Sequence, residues 1–309
     1  MNSRQFGTLL LALAVSLAAA CSETAPVDRT WHAERGFRWQ LLQRPRGGGP
    51  GLHELTASKT GLDHANVVDD EHALANRNLL IGAGAARGDM DGDGLPDLFL
   101  ASMERPAALY HNDGGMRFTD VTAQSGIDTR GLATSCAAFA DVNGDGNLDL
   151  VVGTLGGPIK LWLGDGKGRF ADGTAASGLV GGYAATALTF ADGDGDGDLD
   201  LYVGTCKVRS ALDAYSPHDR AFDKVMKKVD GKYVVVDQWQ QEYRVIDRPD
   251  LGGVLRSQRA DPDLFFVNDG RGHFTRTPIS GARFLDDDGE PLLDVDLDAY
   301  EDLLTLNGH

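Results

Sequence analysis

The chain has 309 residues and a formal net charge of −17, with 46 acidic and 29 basic side chains. This length is enough for one large β domain or two ordinary domains, and the acidic balance argues against nucleic acid or an anionic membrane surface as the main partner. Forty glycines and an aromatic content of 7% are typical of a turn-rich β protein. Acidic Gly/Asp-rich chains can also be disordered, but Leu, Val, Phe and Tyr recur at strand spacing beside each acidic stretch, which favours a folded domain.

Residues 1–21 have the pattern of a lipoprotein-type signal peptide. Arg4 precedes an apolar run, Leu9 to Ala20, that is too short for a standard transmembrane span. Three alanines stand directly before Cys21, which resembles a bacterial lipobox and implies that Cys21 is acylated and becomes the mature N-terminus. By the same analogy, Ser22 after the cysteine favours an outer-membrane or cell-surface lipoprotein. Ordinary cleavage near Ala20, which would give a periplasmic or secreted protein, is the alternative.

Residues 22–51 contain no sustained apolar period and end in a stretch rich in Gly, Pro and Arg. We interpret this segment as a flexible tether, which would span on the order of 30 Å. The membrane would then be contacted only through the lipid anchor.

From residue 52 onward the chain repeats itself. Nine-residue acidic loops begin at Asp89, Asp141, Asp192 and Asp294, with oxygen-bearing side chains at positions 1, 3, 5 and 9. Such oxygens can converge on one point together with the backbone carbonyl of position 7, and hard oxygens are the ligands that Ca²⁺ prefers. An EF-hand would need Glu at position 12 between two helices, whereas position 12 here is apolar or Thr in a strand-like context.

A second element follows each of the first three loops. It consists of an apolar strand, a Gly-rich turn and another strand, at residues 109–118, 161–170 and 265–274. Together with the strands that flank the loop, this makes four short strands in about 51 residues, which is typical of a propeller blade. Residues 53–62 repeat the tail of a unit with nothing before it. They therefore predict an orphan fourth strand, through which the chain ends would close a ring.

The third unit is interrupted by residues 207–262. Between Lys207 and Arg259 the chain has eleven basic and eight acidic side chains, unlike the rest of the molecule. Phe222, Val225, Met226 and Val229 have helical spacing, and Tyr233–Val236 has strand character. We expect an α+β insertion on one face of the propeller.

The units resemble FG-GAP/VCBS repeats, the calcium-loop blades of integrin α-subunit propellers. The sequences Phe139-Ala140-Asp141 and Phe190-Ala191-Asp192 with their loops carry this resemblance. The unit order and the terminal Asn307-Gly308-His309 resemble the bacterial ASPIC/UnbV group, in which the chain continues, so this chain would be a fragment. The resemblance implies an all-β propeller of four-stranded blades over residues 52–309, either partial or closed as a small ring.

The resemblance also implies up to four Ca²⁺ ions, one for each acidic loop. The fourth loop has lost both of its glycines, and a competing register exists at residues 286–290. The implied ligands, which include the carbonyls at position 7, are Asp89, Asp91, Asp93, Leu95 and Asp97; Asp141, Asn143, Asp145, Asn147 and Asp149; Asp192, Asp194, Asp196, Asp198 and Asp200; and Asp294, Asp296, Asp298, Tyr300 and Asp302.

These observations predict an exported, lipid-anchored calcium-binding propeller that serves as a binding, adhesion or scaffold module for a protein or glycan. The alternative is a carbohydrate-active enzyme similar to a polysaccharide lyase, with His218, Tyr243 and Arg244 as candidate base and charge neutraliser. Cys136 and Cys206 lie in different repeats. Export permits a disulfide between them, but we favour buried free thiols.

Overall fold

The computed structural model describes residues 31–34, 37–40, 54–248 and 253–278. These residues fall into two units, divided after Glu54. In the first unit, strand β1 (Trp31–Glu34) pairs antiparallel with β2 (Phe37–Gln40), so that Trp31 lies opposite Gln40. This hairpin lies inside the segment interpreted as a tether and was not foreseen. The signal peptide and Cys21 lie outside the described residues.

The second unit contains three antiparallel four-stranded sheets, the blades of the predicted propeller. The first blade consists of β3 (Ala85–Gly88), β4 (Asp97–Leu100), β5 (Ala108–Gly114) and β6 (Arg117–Asp120). The second consists of β7 (Thr134–Ala140), β8 (Asp149–Thr154), β9 (Lys160–Gly164) and β10 (Phe170–Asp172). The third begins with β11 (Ala184–Ala191) and β12 (Asp200–Cys206).

The insertion then adds two separate hairpins before the third blade resumes. The strands of these hairpins are β13 (Met226–Val229), β14 (Lys232–Val235), β15 (Tyr243–Arg248) and β16 (Gly253–Gln258). The third blade is completed by β17 (Leu264–Asn268) and β18 (Phe274–Thr277), and β17 pairs with β12 across the insertion. The fold is therefore all-β with four-stranded blades, as the sequence predicted.

The blades stack through their first strands and through apolar side chains between the sheets. The Gly84 amide, just before β3, donates to the Ser135 carbonyl of β7 at 2.7 Å. The core between the first two blades includes Phe99, Leu109 and Trp162, each at most 1% exposed. A second core, between the second and third blades, contains Val151, Leu161, Leu201 and Phe266. Burial of each such side chain contributes about 1.5–3 kcal/mol.

Short helices precede and connect the blades, and one of them occupies a segment that was predicted to be a strand. The unit tails form one-turn helices, α1 (Ala57–Thr60) before the first blade and, between the first and second blades, α3 (Thr122–Ser125). The helix α2 (Asp70–Ala75) lies between α1 and β3. The predicted orphan fourth strand at residues 53–62 is therefore wrong, and each of the three blades is complete with its own four strands.

The reason is the glycine that ends each tail. Gly61 has a φ of 80° and Gly126 a φ of 86°, the left-handed conformation that ends a helix. A Cβ atom at Gly61 would lie 2.2 Å from the Phe118 carbonyl oxygen, and one at Gly126 would lie 2.5 Å from the Phe170 carbonyl oxygen. Each tail therefore packs against the outer strand of the blade that follows it.

The insertion has its own small core of Ala211, Val225, Met226, Val235, Trp239 and Tyr243. Its helices are single turns, α4 (Ala211–Ala214) and α5 (Phe222–Val225). The helical pattern predicted from Phe222 to Val229 is correct only as far as Val225. The chain then enters β13, because the positive φ values of Asp230 (48°) and Gly231 (82°) form a tight turn that returns it as β14.

The acidic loops and the insertion lie at opposite ends of the strands. Each loop joins the first strand of a blade to the second, and the insertion joins the second strand of the third blade to its third. Because neighbouring strands are antiparallel, these two kinds of connection emerge on opposite faces.

Two further observations concern the helices and the cysteines. Among the described residues, no helix combines the length and apolar character needed to cross a bilayer. Cys136 is a buried free thiol, as favoured, whereas Cys206 is a free thiol that is only half-buried. Burial raises the pKa of the Cys136 thiol to about 11.

Candidate metal centres in the blade loops

The first three acidic loops share one arrangement of hydrogen bonds around position 1. In the first loop, Asp89 Oδ1 accepts from the amides of Gly92 at 2.8 Å and Asp93 at 3.1 Å, and Oδ2 accepts from Gly94 at 2.9 Å. Asp141 and Asp192 accept from the corresponding three amides at 2.7–3.2 Å. The position-1 carboxylate is thus held by its own loop, in the same way three times.

The glycine at position 6 makes this closure possible. Gly94, Gly146 and Gly197 have φ values of 87°, 85° and 98°. A side chain would be strained in this left-handed conformation, whereas glycine adopts it readily. The turn brings the amide of position 6 back to the carboxylate of position 1.

Position 9 holds a buried carboxylate that joins the loop to the third strand of its blade. Asp149 Oδ2 accepts from the Val142 amide at 3.0 Å, and its Oδ1 accepts from the Gly164 amide at 2.9 Å. Asp97 and Asp200 make the same pair of bonds, and all three aspartates are at most 1% exposed. The sequence suggested only a metal ligand at this position, and this second, structural role was missed.

Burial raises the pKa of all three position-9 carboxyls, because water no longer stabilises their charge. For Asp149 the pKa rises to about 6, although the amides of Gly164 and Val142 act in the opposite direction. A nearby cation would stabilise the charged form of each group.

The carboxylates converge closely enough to hold a metal ion. Oxygens of Asp89, Asp91 and Asp97 all lie within 4.8 Å of one another, as do those of Asp192, Asp194 and Asp200. Oxygens on opposite sides of a Ca²⁺ ion are separated by up to about 5 Å, twice the usual Ca–O distance. In the second loop, the amide oxygen of Asn143 takes the place of the position-3 carboxylate. The donor set, made of hard oxygens, fits a cation of this class.

The other predicted ligands are placed as follows. The position-5 carboxylates accept from the position-7 amides, at 2.7 Å from Leu95, 2.8 Å from Asn147 and 2.9 Å from Asp198. Ligation by the carbonyls of these three residues stays a prediction. The whole fourth loop lies outside the described residues: Asp294, Asp296, Asp298, Tyr300 and Asp302.

His111 is a site residue that the sequence analysis missed. Its Nε2 lies 3.0 Å from Asp91 Oδ2 and 3.5 Å from Asp93 Oδ2. The hydrogen bond to Asp113 is the main reason why the pKa of His111 is raised. Only the register of β5 beside the first loop reveals this contact, and no sequence motif marked it.

His218, Tyr243 and Arg244, the three residues considered for an enzyme, lie in different places in and around the insertion. His218 lines a cavity of about 500 Å³ together with Tyr215 and Trp239. Arg244 lines a groove of about 530 Å³, here called the insertion groove, whose charged and carboxamide side chains are Lys207, Gln241, Arg244, Gln258, Arg259, Asp261 and Asp263. Tyr243 is only 4% exposed and packs in the core beneath Arg256. The structure does not bring these three residues into one site.

A family model for the FG-GAP-like repeat matches residues 89–152 and 141–203. The chain contains FG-GAP-like repeats. The first match runs from the first acidic loop through the second strand of the second blade, and the second match runs from the second loop to the same point of the third blade. FG-GAP-like repeats suggest a binding or adhesion module, and the acidic clusters in these loops are groups that could hold a metal ion.

The chain is also similar to parts of longer proteins. Cartilage acidic protein 1 of Mus musculus is 35% identical over 94 residues, which cover 29% of this chain and 15% of the relative. Cartilage acidic protein 1 of Xenopus tropicalis is 30% identical over 153 residues, which cover 48% of this chain and 24% of the relative. The chain thus aligns with at most about a quarter of the length of these relatives.

Proposed function

We propose that this protein is an exported, lipid-anchored β-propeller whose loops bind Ca²⁺ and whose insertion binds a protein or glycan. The observation that carries the proposal is one loop geometry, closed by a buried position-9 aspartate in all three blades, with carboxylate oxygens that converge in the first and third loops. The alternative of a carbohydrate-active enzyme gains no support, because His218 and Arg244 line different cavities.

Charge repulsion is the first argument for calcium. Each close pair of carboxylates costs on the order of 1–4 kcal/mol at about 4 Å, depending on how well water screens it. A divalent cation replaces this repulsion with attraction, so its binding free energy adds to the free energy of unfolding.

The location of the loops indicates what the cation stabilises. Position 2 of the first loop is Met90, which is 3% exposed and belongs to the core between the first and second blades. Val142, at the same position of the second loop, is 1% exposed and belongs to the next core. A cation that orders these loops therefore supports the stacking of blades.

The partner surface is assigned to the insertion for two reasons. It stands on the face opposite the loops, so a partner there does not compete with the cations. Its groove also presents the cationic groups Lys207, Arg244 and Arg259 beside two glutamines. Lys207 is paired with Asp261 at 3.1 Å, which leaves a mixed polar surface suited to an acidic protein segment or an acidic glycan.

Calcium binding is tested by a matched pair of variants in the third loop. Asp196→Asn removes a predicted ligand carboxylate, whereas Asp198→Asn removes an equal charge at position 7, where the second loop already has Asn147. We expect Asp196→Asn to weaken Ca²⁺ binding at one site in a calorimetric titration, because it removes a ligand charge, and Asp198→Asn to leave the affinity unchanged. Calcium should also raise the melting temperature of the wild type. If excess EDTA alters neither melting nor protease resistance, the calcium proposal is wrong.

Partner binding is tested on an array of neutral and acidic glycans and by affinity capture of envelope proteins. Arg259→Glu reverses a charge in the insertion groove. Arg105→Glu makes the same change on the equivalent connection of the first blade, where Arg105 is exposed. We expect only Arg259→Glu to weaken binding. If both variants bind equally well, the insertion groove is not the surface that binds the partner.

The lipid anchor is tested in cells by partition of the protein into detergent. Cys21→Ser should move the protein from the detergent phase to the aqueous phase. Partition that is the same for both forms would contradict acylation of Cys21.

A further inference from the structure

An imidazole from the third strand of the blade lies beside the first loop, and the other two blades have no imidazole at the equivalent strand position. The Asn112, Gly164 and Asn268 amides all donate to a position-9 aspartate, and this defines equivalent positions in the three blades. The residue before each of them is His111, Leu163 or Val267, respectively. A nitrogen ligand is therefore beside the first loop, while apolar side chains stand at the same place beside the second and third.

The other ring nitrogen of His111 is held by a carboxylate. Nδ1 lies 3.0 Å from Asp113 Oδ1, and Asp113 Oδ2 accepts from the Thr119 hydroxyl at 2.7 Å. In metal centres such a carboxylate fixes the tautomer and the orientation of a ligating histidine. Here it directs Nε2 towards Asp91 and Asp93.

The same aspartate has a different role in the other blades. Asp165 accepts from the backbone amides of Lys167 and Arg169, and Asp269 accepts from those of Arg271 and His273. In the first blade the equivalent carboxylate binds the imidazole instead. The carboxylate–imidazole pair is therefore a feature of this blade and not of the repeat.

The distances fit a small transition-metal ion. Ligand atoms about 2.0–2.2 Å from such an ion lie roughly 3.0–3.5 Å apart when they are neighbours in octahedral or tetrahedral geometry. Nε2 of His111 lies 3.0 Å and 3.5 Å from oxygens of Asp91 and Asp93, and one ligand atom from each of the three residues lies within 4.8 Å of the others. Imidazole together with carboxylates suits zinc, whereas oxygen-only sets suit calcium.

We propose that Asp91, Asp93 and His111 make the first loop selective for a zinc-class divalent cation, while the second and third loops remain oxygen-only sites. Asp113 is the residue that positions the imidazole. The inference rests on the proposed role of these loops as cation sites, and it adds that one of the three binds a different class of metal.

The test is a calorimetric titration of the full chain with Zn²⁺ in the presence of saturating Ca²⁺, followed by visible spectroscopy with Co²⁺ as a probe. We expect one tight Zn²⁺ equivalent in the wild type and a loss of at least about tenfold in affinity in His111→Leu, which introduces the residue of the second blade. Asp113→Asn should lower the affinity by about 10–100-fold, because it leaves the imidazole in place but without its orienting carboxylate.

His273→Leu is the matched control, because it removes an exposed imidazole from the corresponding hairpin of the third blade. Equal Zn²⁺ affinity in the wild type and His111→Leu, or a loss in His273→Leu as large as that in His111→Leu, would overturn the proposal. Calcium is titrated separately, so a protein that binds Zn²⁺ through His111 but no Ca²⁺ would contradict the proposed function and leave this inference standing.

Discussion

The three blades repeat one structural element, whereas the insertion is a single unit with its own core. Each of the three blades repeats one device, an acidic loop whose position-9 aspartate bonds to the third strand of the same blade. The insertion packs once around Trp239 and Tyr243, with a core of its own. The comparison shows that the blades are held by a repeated bond and by cores between neighbouring sheets, whereas the insertion has a core separate from these.

The two regions also differ in charge and in hydrogen bonding. The blade loops concentrate carboxylates held by backbone amides, while the insertion carries eleven basic and eight acidic side chains between residues 207 and 259. Of the three predictions below, the first tests whether the two regions are energetically separate, and the other two test the repeated element of the blades.

The largest effect is expected from truncation of one tryptophan in each region. Trp162→Ala and Trp239→Ala each remove a side chain that is at most 6% exposed, and such changes cost about 3–5 kcal/mol. Because Trp162 lies between two blades, we expect a loss of global stability. Trp239→Ala should instead unfold the insertion locally.

Hydrogen exchange separates these outcomes. In Trp239→Ala, amides of β13–β16 should exchange faster while those of β8 and β9 keep their protection. If blade amides lose protection to the same extent, the insertion is not a separate unit.

A smaller loss is expected when the repeated blade device is broken. Asp149→Ala leaves the amides of Val142 and Gly164 without their acceptor, which costs about 2–4 kcal/mol for one buried and one half-buried donor. Asp165→Ala is the matched control, since it removes an exposed carboxylate that also accepts two amides. Urea denaturation followed by circular dichroism measures both. Equal midpoints would show that the hydrogen bonds of the buried position-9 aspartate stabilise the fold no more than those of the exposed Asp165.

The smallest effect is a pH dependence of the metal-free blades. The pKa of Asp149 is raised to about 6 in the folded protein, above its unfolded value of 3.8, so the folded state binds more protons between these values. The free energy of unfolding in EDTA should therefore fall as the pH rises through about 6, by on the order of 1–3 kcal/mol.

Saturating Ca²⁺ should suppress this trend, because a bound cation favours the charged carboxylate. The measurement is a series of urea titrations between pH 4.5 and 7.5. A free energy of unfolding that rises over this range in EDTA would contradict the raised pKa of the buried aspartates.

Much of the blade architecture could be predicted from the sequence. Apolar strands beside each acidic loop, Gly-rich turns at residues 113–115 and 165–168, and a spacing of about 51 residues indicated four strands for each unit. These signals are local, because strand alternation and turn chemistry act between near neighbours in the chain. The interruption of the third blade was also visible, as a doubled spacing.

Contacts between distant segments could not be predicted in this way. The tail at residues 53–62 was predicted to be a strand. In the structure it forms a short helix that ends at Gly61, which packs closely against the Phe118 carbonyl. Phe222 to Val229 keeps a helical spacing, but pairing of β13 with β14 prevails after Val225. In both places a backbone contact with a segment outside the local pattern decides the conformation.

The sequence by itself determined the composition of the loops, their order and their oxygen-rich donor sets. The reason is that the ligands at positions 1, 3, 5 and 9 all lie within nine consecutive residues. Only the tertiary structure decided that Asp97, Asp149 and Asp200 bridge to a third strand, that the insertion stands on the face opposite the loops, and that His111 lies 3.0 Å from Asp91. The aspartate bridges and the His111 contact depend on strand register, which brings groups far apart in the chain within bonding distance. The face of the insertion depends on which two strands it connects.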